Sequence, residues 1–103
     1  MEEILIKITD IIQRYDGGEW QSVENLRIML RELSSNCYFL TKHNVEAGME
    51  HNKAQYNFKG SVAAGKIFAD EQTPELRYTR KILYAANKVM DSMRSELSII
   101  KNE

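Results

Sequence analysis

The sequence predicts an all-α protein: a short N-terminal helix followed by a long antiparallel helical hairpin, coiled-coil-like, that a second copy completes. Three observations predict it. Apolar residues recur at spacings of three and four through nearly the whole chain, and no stretch alternates as a strand does. The seam in the middle of the chain keeps its heptad phase without a slip. The only Gly-Gly pair and the only proline fall between the periodic segments rather than within them.

The first helix is expected over about residues 2–15, because Ile4, Leu5, Ile8, Ile11, Ile12 and Tyr15 share one helical face. Asp16-Gly17-Gly18 stops it. The second helix is expected over about residues 22–69. Ser22 suits its N-cap, and Glu24 in the first turn complements the positive end of the helix dipole. Its seam runs Leu26, Leu30, Leu33, Cys37, Leu40, Asn44, Ala47, His51, Ala54, Phe58, Ser61, Gly65, Phe68. Gly48, Gly60 and Gly65 each cost such a helix roughly 1 kcal/mol against alanine. A continuous helix is nevertheless the expectation, the glycines serving close approach of another backbone.

The third helix is expected over about residues 74–101, with Thr73 as cap and Pro74 at the first helical position. Its seam is Leu76, Thr79, Leu83, Ala86, Met90, Met93, Leu97, Ile100. Folding it back about residues 70–72 sets Gly65 against Thr79, Phe58 against Ala86, Ala54 against Met90 and His51 against Met93. Small residues then face large ones, as close packing requires. In this arrangement the third helix covers the second half of the long helix and the first helix covers the Leu26–Leu40 half. One side of the seam stays open, which implies a homo-oligomer, in the simplest case a dimer, joined through Leu26, Leu30, Leu33, Leu40, Asn44 and His51. Asn44 and His51, polar at seam positions, would fix the register.

At 103 residues the chain reads as a single helical domain. One cysteine, Cys37, excludes an internal disulfide and points to a reducing compartment. The acidic opening and the short apolar runs fit neither a secretory signal nor a membrane span, so a cytoplasmic protein is expected. Net charge is −1, but unevenly spread: −4 over residues 1–52, +4 over 53–88 and −1 over 89–103. Such a split suits an acidic partner for the basic stretch, or head-to-tail self-association.

The motifs that could carry catalysis are weak. Gly60-Ser-Val-Ala-Ala-Gly65-Lys66 spells GxxxxGK, but Ile67 stands where magnesium binding needs Ser or Thr, and no strand precedes it. Lys66 is therefore expected to have no nucleotide role. His43, Glu46 and Glu50 share a helical face without the Glu-x-x-His order of di-iron bundles, so no metal is expected. Cys37 sits on the apolar seam and reads as a buried, inert thiol. Ser34 and Ser35, close by, have no base at useful spacing. A non-enzymatic protein without a cofactor is expected.

One pattern stands above this background. Arg77, Arg80, Lys81, Tyr84 and Lys88 follow one face of the third helix, and Lys53, Tyr56, Lys59 and Lys66 lie on the helix beside it. Cations interleaved with aromatic rings suit a single-stranded nucleic acid: charge for phosphates, rings for bases. An ordinary solvated lysine/arginine face has the same pattern.

Ala54-Gln-Tyr56-Asn-Phe-Lys59, and the helix ending Asn87-Lys-Val-Met-Asp91-Ser-Met-Arg94-Ser-Glu-Leu-Ser98, resemble a group of small helical accessory proteins encoded by tailed phages and prophages. The resemblance covers roughly the last 50 residues. It implies a factor whose gene lies near recombination, single-strand-binding or replication genes, acting in the host cytoplasm. It carries no catalytic residues. Two functions compete: an accessory factor that touches single-stranded DNA or the proteins on it, and a protein-binding inhibitor or adaptor, such as an anti-defence factor blocking a host nuclease.

Overall fold

A computed structural model describes residues 1–102, the last two as backbone only. Among the described residues there are four helices and no strand: α1 Glu2–Asp16, α2 Val23–Asn57, α3 Val62–Gln72 and α4 Leu76–Asn102. Among the described residues, no helix is long and apolar enough to cross a membrane.

Local chemistry sets the helix ends. Glu2 and Glu3 lie in the first turn of α1, at the positive end of its dipole. Gly18, at φ 70, supplies the left-handed residue that reverses the chain after α1. The Ser22 hydroxyl accepts from the Asn25 amide at 3.1 Å and caps α2, as its sequence position suggests.

The continuous helix expected over residues 22–69 is divided. Phe58 leaves the helix at φ −74, ψ 128, and Ser61 starts α3 by accepting from the Ala64 amide at 3.1 Å. The break lets α3 fold back on the end of α2. The Phe58 and Phe68 rings then meet at 5.2 Å, and Ala69 is fully buried. Gly65 packs into this corner, where a Cβ would stand at ordinary contact distance, 3.4 Å from the Phe58 ring and 3.5 Å from the Gln55 carbonyl. Thr73 also departs from expectation. Its hydroxyl donates back to the Ala69 carbonyl at 3.0 Å, closing α3 rather than capping α4, which begins two residues later than expected.

The extra reversal moves α4. The Ser34 hydroxyl donates to Met90 Sδ at 3.4 Å, whereas the hairpin register had set Met90 against Ala54. α4 therefore runs along α2 from Gly48, beside Arg80, past Ser34, beside Met90, and so reaches the N-terminal half that α1 also covers. α1, α2 and α4 form a three-helix bundle around Ile8, Ile11, Leu26, Leu33, Leu40, Ala86 and Met93, each 3% exposed or less. The Tyr15 hydroxyl ties α1 to α4 by donating to Glu96 Oε1 at 2.9 Å, with Ser92 Oγ 2.8 Å away. The leucine seam is thus filled from within: Leu26, Leu33 and Leu40 are fully buried and Leu30 partly buried, so its open side, the reason for expecting a second copy there, does not exist. Of its two polar members, Asn44 is buried with both amide atoms unpaired, and His51 is half-buried and turned to α3.

Candidate functional site: a basic cleft between α3 and α4

The chain reversal after α3 creates a corner, and the corner carries most of the cations. Lys66 and Asp70 are one turn apart on α3. Arg77, Arg80, Lys81 and Tyr84 follow at i, i+3, i+4 and i+7 on α4. These six side chains, with His51 of α2, line a cleft of about 780 Å³. Leu76, which lines it, is buried, as is Thr79 one turn on, whose hydroxyl donates to the Leu76 carbonyl at 3.0 Å.

Four cations thus surround one carboxylate, and that carboxylate is engaged: Asp70 Oδ1 lies 2.7 Å from His51 Nε2. Among the described residues, no other acidic side chain lines the cleft. Arg80 reaches across to Gly48 of α2, where a Cβ would stand 3.3 Å from its terminal nitrogen. Gly48 therefore leaves room for the guanidinium at the inner edge. Lys88 sits with its ammonium 4.7 Å from the centre of the Tyr84 ring, a cation–π contact that extends the positive surface along α4.

The face read from the sequence is only partly gathered. Arg77, Arg80, Lys81 and Tyr84 converge, with Lys88 beside them. Lys53 and Lys59 line a separate groove on the other flank of α3, with Phe58 and Phe68. Tyr56 is 89% exposed and belongs to neither. Tyr78 faces α1, in a groove that includes Glu2 and Asp10. Lys66 enters the cleft although its GxxxxGK string marks no phosphate loop: Val62 to Lys66 are the first turns of α3. The His51–Asp70 contact was missed. No local sequence signal marks it, and only the break at Phe58–Ser61 brings Asp70 to His51.

The other candidates resolve simply. Among the described residues, no group of three His, Cys, Asp or Glu side chains is placed to hold a metal ion. Cys37 is buried, and burial pushes its thiol up to about 11. Comparison with family models, with curated proteins and with solved structures finds no match to this chain.

Proposed function

We propose that this chain is a non-enzymatic interaction protein that holds a phosphate-bearing polymer, single-stranded nucleic acid foremost, in the basic cleft between α3 and α4. The observation that carries the reading is the four-to-one excess of cations over carboxylates in one concave site, with an exposed tyrosine ring at its mouth. Cations on two helices can follow a phosphate backbone, and Tyr84 offers a face for a base. The cleft offers charge and shape but no nucleophile activated by a base, so binding rather than bond-breaking is its chemistry. The resemblance of the C-terminal half to phage and prophage accessory proteins agrees with a role in recombination or replication, carried out in the host cytoplasm.

The test is titration of a 30-mer single strand at 50 mM salt. Binding that the Arg77→Ala/Arg80→Ala/Lys81→Ala variant loses supports the reading. No binding by the parent at that salt overturns it and leaves the cleft to an acidic protein surface, as an inhibitor or adaptor would use it.

A further inference from the structure

Arg80 lines two hollows, the basic cleft and a smaller groove of about 380 Å³ between α2 and α4. Thr41, Asn44, Gly48 and Met49 line the groove from α2, and Leu83 lines it from α4. Asn44 is its anomaly. The residue is 7% exposed, and neither its Oδ1 nor its Nδ2 has a hydrogen-bond partner. Buried polar side chains are nearly always paired, and an unpaired amide leaves both a donor and an acceptor desolvated without return. Its surroundings offer little. The Thr41 hydroxyl donates instead to the Cys37 carbonyl at 2.7 Å, and Met49 and Leu83 are apolar. For the bundle alone an apolar side chain of the same shape would serve better, as Leu33 and Leu40 do on the same seam. The unmet donor and acceptor point to a ligand that supplies their counterparts.

We infer that the groove takes an adenine base of the single strand held in the adjoining cleft, Asn44 Nδ2 donating to N7 and Oδ1 accepting from the N6 amine. The inference rests on the reading of the cleft and adds base preference to it. Adenine sets a donor beside an acceptor on this edge, and asparagine is its usual bidentate partner; guanine presents two acceptors there, and thymine an acceptor and a methyl group. Met49, 67% exposed, and Leu83 supply apolar surface for the ring. Arg80 joins the two sites. Its guanidinium stands over Gly48, one helical turn from Asn44, and the side chain is exposed. Drawn towards a phosphate in the cleft, it clears the approach to the amide, so the backbone contact and the base contact form together.

Titration of the full chain at 50 mM salt tests this, with a 30-mer of thymine and with the same strand carrying adenine at every third base. The adenine strand should bind about tenfold more tightly, the discrimination of one bidentate pair. Asn44→Leu should bring its affinity down to that of the thymine strand. The variant should melt no lower than the parent, since both unpaired atoms leave the interior at similar side-chain volume. A second probe needs no variant: a strand with purine, which lacks the N6 amine, in place of each adenine should also lose the preference. Equal affinity of the parent for the thymine and adenine strands overturns the inference. So does a preference that survives either Asn44→Leu or the purine strand, because Asn44 would then act in packing alone. In each of these cases the cleft reading stands as long as the thymine strand binds. If neither strand binds the parent, both readings fall.

Discussion

His51 Nε2 lies 2.7 Å from Asp70 Oδ1, so a side chain of α2 grips α3 at the rim of the basic cleft. Asp70 is 62% exposed, and such a pair contributes only about 0–1 kcal/mol to stability. Its larger effect is electrostatic, because Asp70 is the one carboxylate among Lys66, Arg77, Arg80 and Lys81. Asp70→Asn should shift the melting temperature by only a few degrees. It should tighten single-strand binding about three- to fivefold at 50 mM salt, from about 1 kcal/mol of repulsion removed. A fluorescence titration of parent and variant measures it; weaker binding in the variant would count against the assignment.

Salt dependence counts the phosphate contacts. On single strands, the log–log slope is about −0.7 per contact, so four cations in the cleft should give about −3. Lys66→Ala should reduce its magnitude by about 0.7, like any of the α4 cations. Lys53→Ala, on the far flank of α3, should leave the slope near its parent value.

Tyr84 separates stacking from charge. If a base lies on its ring, Tyr84→Ala should weaken binding by about 1–3 kcal/mol at every salt concentration without altering the slope. Loss of the Lys88 contact would show instead as a change of slope.

Gly48→Ala places a methyl 3.3 Å from the terminal nitrogen of Arg80, which is exposed and can swing outward. The helix then gains about 1 kcal/mol, or about 4–8 °C in melting temperature, while the cleft loses its inner cation. Thermal melts and the single-strand titration should therefore move in opposite directions. A lower melting temperature would show that Arg80 cannot yield.

Alkaline stability follows from two buried acids. Burial raises the Cys37 thiol to about 11 and also raises the Tyr15 phenol, so the folded state favours their protonated forms. For a raised pKa, the stabilisation is complete below the unfolded value and is lost as pH climbs through the folded one. Stability should thus hold to about pH 9 and decline towards pH 11 and beyond. Cys37→Ala should remove the first part of that decline, as denaturant melts at pH 7, 9 and 10.5 would register. In the folded parent, the thiol should also resist labelling at pH 8.

The helices themselves were legible, because their signals are local. Ser22 has one amide to accept, Asp16-Gly17-Gly18 has few ways to continue a helix, and Ile8, Ile11 and Leu33 follow the period of one turn. The convergence of Arg77, Arg80, Lys81 and Tyr84 was legible for the same reason, since all four lie on one face of one helix. The division at Phe58–Ser61 was not. Gly60 and Gly65 at seam spacing fit a tightly packed continuous helix as well as a break, and Ser61 reads as a seam residue until it is seen to cap α3.

By itself the sequence determined an all-helical chain, the ends of α1, the start of α2, the leucine core face and the basic face of α4. Tertiary structure decided how the faces meet. A heptad seam matches a partner equally well after a slide of seven residues, so periodicity cannot choose the register. Met90 lies by Ser34 instead of Ala54, twenty residues and nearly three heptads away. That choice belongs to the long-range burial of Ile8, Ile11 and Tyr15 against α2 and α4, which pulls α4 to the half of α2 where α1 already lies. The slide requires α3 to turn back on α2, and that turn brings Lys66, Asp70 and His51 to the α4 cations.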